Sequence, residues 1–259
     1  MATIAAKTPA EIIDQIIDHL HSDPQALGSW ALVCRKFLPS SRLHAFEAVY
    51  LRSHNGLTFC DLLESPHCTF VSFVRELYLQ EGRGRSRLEQ MWFNRAFPRL
   101  EALKSAPVER LSIQELSWDI LCTESQASLL STFQGIKHLS LSHSRFPTFN
   151  QLVKLITSSS NLEVLDMVAV SSGALQPGTL CKSPLSDLQN IKVDSHTATT
   201  ILPWLLTSSS IPQLTHVGFD YIADRQDAQI TKEFVATLGS SVTHLELGFG
   251  MTNSLEEQG

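Results

Sequence analysis

An apolar template, φ-x-x-φ-x-φ, recurs along most of the chain, with its central residue at Val49, Leu77, Leu111, Leu139, Leu165, Ile191, Val217 and Leu245. The full triplets are Phe46/Val49/Leu51, Val74/Leu77/Leu79, Val108/Leu111/Ile113, Ile136/Leu139/Leu141, Leu162/Leu165/Met167, Leu188/Ile191/Val193, Leu214/Val217/Phe219 and Val242/Leu245/Leu247. One such triplet arises by chance at roughly one position in twelve of a chain this apolar. Eight centres spaced 28, 34, 28, 26, 26, 26 and 28 residues apart do not. The central and last apolar positions are two apart, so each triplet reads as a strand with one apolar face. Between strands the period turns helical, as in Leu152, Val153, Leu155 and Ile156 or Ile201, Leu202, Leu205 and Leu206. Polar breakers follow both segments, Thr157 to Asn161 and Thr207 to Ser210. A strand and a helix within about 26 residues cannot bury their apolar faces alone, whereas stacked neighbours share one core with parallel strands. The expected fold is α/β: a solenoid over residues 49–259 with a parallel sheet of about seven or eight strands. Met251 to Gly259 is too short for a helix or polar cap, so the last strand is expected to leave an apolar edge open.

Residues 1–48 follow a different pattern and predict a separate domain of three short helices. Thr8 reads as a cap, Pro9 as the first helical residue and Glu11 as the return partner of a capping box. Ile12, Ile13, Ile16, Ile17 and Leu20 then form one stripe, with Asp14, Gln15, Asp18 and His19 opposite. Asp23-Pro24 starts a second helix, through Leu27, Trp30, Ala31 and Val33 to Phe37, with a stop at Pro39. A third is expected from about Ser41 to Ala48, carrying Leu43 and Phe46. So small a helical core needs a partner surface.

With 43% hydrophobic residues the chain of 259 can bury a sizeable core. No apolar run approaches the roughly 18 residues that cross a bilayer, and Lys7 stands where a signal peptide would be apolar. Five cysteines at irregular spacing and no Asn-x-Ser/Thr sequon fit a reducing compartment, cytoplasmic or nuclear. The net charge of -6 disfavours nucleic acid as the main partner, and no membrane partner is expected.

The repeats resemble leucine-rich repeats, whose L-x-x-L-x-L is followed by Asn or Cys three residues on. Here those positions hold Gly82, Leu116, Ser144, Val170, His196, Ile222 and Gly250, so the turns are expected to be less regular than the family's. The head resembles the F-box, through Pro9-x-Glu11-Ile12-Ile13-x-x-Ile16-Ile17-x-x-Leu20, Leu32-Val33-Cys34-Arg35-Lys36-Phe37 and Arg42-Leu43-His44-x-Phe46. The extension from Phe59 through Phe73-Val74-Arg75-Glu76-Leu77 looks like that of fungal F-box proteins. Thr8 replaces the family's leucine before the first proline. The resemblance implies a non-catalytic subunit of a Skp-cullin-F-box ubiquitin ligase, docking a Skp-type adaptor of the cullin-RING assembly and holding a protein substrate on the repeats. It implies Pro9, Ile12, Ile16, Leu20, Leu32, Val33 and Phe37 as the adaptor-facing surface or its immediate support. A repeat scaffold outside any ligase is the alternative.

On the strand face opposite the core, Tyr78, Arg110, His138, Asp166, Lys192, Asp194, His216, Asp220 and Glu246 are the candidates for holding a substrate, with a plain solvated face as the alternative. Asp166, Asp194, Asp220 and Glu246 favour a partly basic ligand. His216 and His244 should be lateral neighbours, and Cys60, His67 and Cys68 form a trio, but neither set has the ligands and spacing zinc needs; no metal or cofactor is expected. Gly82-Arg83-Gly84-Arg85-Ser86-Arg87 opens like a dinucleotide fingerprint but has arginine at the third glycine, and coincides with the 34-residue spacing. It reads as a solvated insertion loop, with an acidic segment, a phosphate or a nuclear-import role as alternatives. No G-x-S-x-G, H-E-x-x-H, Walker lysine or C-x-x-C is present.

Overall fold

The computed structural model describes residues 9–21, 23–81, 91–173, 185–207, 213–222 and 225–249. They form a mixed α/β fold on one parallel eight-stranded sheet, with nine α-helices among the described residues. The strands are β1 (Ala48–Leu51), β2 (Glu76–Gln80), β3 (Arg110–Gln114), β4 (His138–Ser142), β5 (Val164–Val168), β6 (Asn190–Val193), β7 (His216–Ile222) and β8 (His244–Phe249). They lie side by side in chain order.

The register pairs Val49 with Leu77, Leu77 with Leu111, Leu111 with Leu139, Leu139 with Leu165, Leu165 with Ile191, Ile191 with Val217 and Val217 with Leu245. All eight triplet centres therefore form one row across the sheet. That row and the row of last apolar residues are buried from β1 to β7, in a single cluster with residues of the helices between strands. Each such side chain is worth about 1.5 to 3 kcal/mol when taken out of water. In β8 the same positions, Leu245 and Leu247, are 45% and 42% exposed.

The connecting helices are α4 (Gly56–Leu63), α5 (Trp92–Ala96), α6 (Thr123–Thr132), α7 (Phe149–Ile156), α8 (Ser195–Thr207) and α9 (Arg225–Leu238), numbered after three in the head. Leu152, Val153, Leu155 and Ile156 of α7 and Ile201, Leu202 and Leu205 of α8 are buried, as their spacing requires. The polar breaker after α7 closes the helix: Thr157 Oγ1 donates to Val153 O at 2.8 Å and Ser158 Oγ to Leu155 O at 2.7 Å. Ser159, buried, reaches back one repeat to Phe133 O at 2.9 Å. Val153 O and Leu155 O also accept the backbone N–H groups of Thr157 and Ser158, so those hydroxyls reinforce bonds already made, whereas Ser159 gives Phe133 O a donor from the next repeat.

The turns after β3, β4 and β5 share one geometry. Glu115, His143 and Ala169, at one repeat position, all take a positive φ, of 65°, 51° and 54°. The next residues, Leu116, Ser144 and Val170, are buried. Turn amides find acceptors on the neighbouring repeat: Glu81 N–H donates to Gln114 O, Glu115 N–H to Ser142 O and His143 N–H to Val168 O, at 2.9 to 3.1 Å. An Asn or Cys side chain within the turn is thus dispensable, because stacking supplies the acceptor.

The head consists of α1 (Ala10–Asp18), α2 (Pro24–Val33) and α3 (Leu38–Glu47) around a second small core of Ile13, Ile17, Leu27 and Phe37. Three boundaries differ from the sequence reading. Pro9, with ψ of 145°, precedes α1 instead of opening it. Helix α2 ends at Val33, where Cys34 turns extended, and Pro39 sits in the first turn of α3, where its missing N–H costs nothing. Asp23 caps α2 as expected, its Oδ1 accepting from Gln25 N–H at 3.1 Å and Ala26 N–H at 3.0 Å. Helix α3 joins head to sheet: His44 Nε2 donates to Asp18 of α1 at 2.8 Å, Ser40 Oγ donates to Asp14, and Phe46 stacks on Phe70 of the main core at 4.1 Å.

Thr8, the Gly82–Arg87 run, Ser208 to Ser210 and Met251 to Gly259 lie outside the described residues. Among the described residues, no helix is long and apolar enough to cross a membrane.

Candidate functional site

Because strands alternate their side chains, the register that buries the triplets lines up the residues between them on the other face. One row there runs Tyr50, Tyr78, Ser112, Ser140, Asp166, Lys192, Gly218 and Glu246, and the row before it Glu76, Arg110, His138, Val164, Asn190, His216 and His244. Adjacent strands place complementary groups in contact. Tyr50 and Tyr78 stack at 4.4 Å and 7°. Burial and its donation to Glu76 at 2.5 Å push the Tyr78 phenol up to about 12. Arg110 Nε lies 3.7 Å from Glu76, and His138 Nε2 donates to Asp166 Oδ2 at 2.7 Å. Lys192 Nζ sits 2.8 Å from Asp220 and 3.9 Å from Glu246; its ammonium is held above its ordinary pKa, chiefly by the hydrogen bond to Asp220.

His216 and His244 are paired across β7 and β8, and their rings stack at 4.2 Å and 4°. Beside them a hollow of about 180 Å³ is lined by Asp166, Asn190, Lys192, Gly218 and Glu246. A second, of about 200 Å³, lies at the other end of the face against Tyr50, Tyr78, Gln80 and Gln114. Both open to solvent and mix polar with apolar lining.

No family model matches this chain, and no curated protein matches it.

Eight of the nine candidates thus share one face: Tyr78, Arg110, His138, Asp166, Lys192, His216, Asp220 and Glu246. Asp194 is the correction. Strand β6 ends at Val193, and both Asp194 carboxylate oxygens accept backbone N–H groups, Oδ2 from Ala169 at 2.7 Å and Oδ1 from Thr197 at 2.9 Å. At the equivalent position of the three preceding turns the acceptor is a main-chain carbonyl, so the Asp194 side chain replaces that carbonyl and fixes the start of α8. Asp194→Ala is expected to cost about 1 to 2 kcal/mol of stability, as urea unfolding would register.

In the head, Pro9, Ile12, Ile16, Leu32 and Val33 are exposed, Leu32 to 88% and Val33 to 60%. Leu20 is half-buried, and Phe37 is 3% exposed inside the small core, so it supports the surface instead of forming it. The α1 stripe spans about 140° at 100° per residue; its Ile13–Ile17 side faces the core and its Ile12–Ile16 side faces solvent.

Tyr50, 61% exposed, belongs to the open face and is absent from the sequence candidates, although it follows Val49 as Tyr78 follows Leu77. Cys60 is wholly buried in the main core, and burial pushes its thiol up to about 11, far from a ready thiolate.

Proposed function

We propose that this chain is the substrate-recognition subunit of a Skp-cullin-F-box ubiquitin ligase, non-catalytic itself, with residues 1–48 as an F-box and residues 49–259 as a leucine-rich-repeat-like solenoid. The observation that carries the reading is the surplus apolar surface of the head. Ile12, Ile16, Leu32 and Val33 stand exposed on short helices whose inward faces already fill a core of only four buried apolar residues. Leaving them in water forgoes about 1.5 to 3 kcal/mol each, which a docked adaptor would recover. The open strand face, polar and in register over eight strands, is the surface on which a protein substrate would lie. Tethering of that kind works by effective concentration: a lysine held near the charged carrier meets it more often than from bulk solution.

The test is co-expression of the full chain with a Skp-type adaptor. Co-purification is expected. Leu32→Glu should weaken capture at least about tenfold, the loss of one buried leucine contact being worth that much, and leave the melting temperature unchanged because Leu32 touches almost nothing within the chain. Absence of co-purification, or full capture by the Leu32→Glu chain, would end the ligase reading; a chain that still bound partners through its strand face would then be a scaffold.

A further inference from the structure

We infer that the hollow over β5 to β8 receives an arginine side chain of a protein partner, an assignment that rests on the open strand face being the surface that holds the partner. Gly218 makes the space: its neighbours in the row, Lys192 and Glu246, have long side chains, and a Cβ at 218 would meet Lys192 Cγ at 3.1 Å. On the outward rows of these four strands the described charged groups are Asp166, Asp220 and Glu246 against Lys192, and the Lys192 ammonium is already taken by Asp220. His138 of β4 occupies Asp166 Oδ2 only. Glu246, with its side chain 77% exposed and the Lys192 ammonium 3.9 Å away, keeps acceptor capacity.

The two imidazoles supply flat ring faces beside the hollow, stacked at 4.2 Å. Thr243 Oγ1 lies 3.1 Å from Thr215 O and 3.0 Å from His244 Nδ1, and Thr215 Oγ1 repeats the arrangement with Gln189 O at 3.4 Å and His216 Nδ1 at 2.9 Å, so both rings are held by their Nδ1 side. A ligand that is cationic, flat and rich in N–H donors satisfies such walls. Guanidinium is planar, presents five donors in a fork, pairs bidentately with a carboxylate and stacks on a ring face. An ammonium offers only a compact point charge. One metal ion fits poorly, since lone pairs on rings 4° from parallel run side by side instead of converging.

The test uses the full chain without adaptor and a fluorescein-labelled heptapeptide, Gly-Ser-Arg-Gly-Ser-Arg-Gly, with citrulline and lysine versions, read by fluorescence anisotropy. The arginine peptide should bind, the citrulline peptide at least about tenfold more weakly and the lysine peptide about threefold more weakly, the fork and charge both being lost in the first case and only the fork in the second. Glu246→Gln, on an exposed side chain that the fold does not need, and Gly218→Leu, which fills the hollow, should each weaken arginine binding at least about fivefold; circular dichroism checks their folding. Equal binding of the citrulline peptide, tighter binding of the lysine peptide, or unchanged binding by folded Glu246→Gln would overturn the assignment. Loss of peptide binding with adaptor capture intact removes this inference alone, and loss of adaptor capture with peptide binding intact removes the ligase reading alone.

Discussion

Leu139→Ala is expected to lower the unfolding free energy by about 3 to 4 kcal/mol, while Leu245→Ala, the same position of the repeat, costs less than about 1 kcal/mol. Both are triplet centres in the same row of the sheet. Leu139 has no exposed surface and is enclosed by the main core, with β3 and β5 on either side. Removing three of its carbon atoms opens a cavity that rigid neighbours fill only in part. Leu245 lies on the edge strand at 45% exposure, so truncation there forfeits partial burial and opens no cavity. Urea unfolding of the full chain, followed by circular dichroism, gives both values. Equal losses would mean that the sheet position and not its covering layer sets the energy, contrary to the burial described.

Glu81→Gln should raise stability by on the order of 2 kcal/mol at pH 8 and hardly change it at pH 5. Glu81 follows β2, is 3% exposed and leaves Oε1 without a hydrogen-bond partner. Burial pushes its carboxyl up to about 8; a hydrogen bond from the Ser117 backbone opposes the shift, and the charge of Glu115 adds to it. The folded form therefore keeps a proton that the unfolded chain releases near its ordinary value of 4.5. A carboxyl raised on folding makes the native state bind more protons, so stability falls as pH rises between those two values. Each unit is about 1.4 kcal/mol, and water drawn toward the buried charge offsets part of the total. Glutamine keeps the shape and cannot ionise, so the variant loses this slope. Thermal melts at pH 5, 6, 7 and 8 measure it; parallel curves for the two proteins would show that Glu81 ionises without cost.

The sheet was legible because its signal is repeated. An alternation of period two that recurs every 26 to 34 residues fixes both the strand and its register with the next, so Val49 pairs with Leu77 and Leu77 with Leu111 across the longest spacing. Helices α7 and α8 were legible from their spacing, and the start of α2 from Asp23. The open face followed from the same alternation, which is why eight of its nine candidates stand together.

Tertiary contacts decided the rest. Pro39 suits a helix stop and a helix first turn equally well, and the extended backbone at Cys34, not the proline, separates α2 from α3. Phe37 could face outward or inward; the core between Ile13, Ile17 and Leu27 took it in. Asp194 reads as one more acidic residue of the face until Ala169 N–H, 25 residues earlier, is seen to need an acceptor. The stacks of Tyr50 on Tyr78 and His216 on His244 likewise depend on partners a whole repeat away. Periodicity is carried by each segment on its own and survives in sequence; the task of a single polar or boundary residue is set by groups that only folding brings beside it.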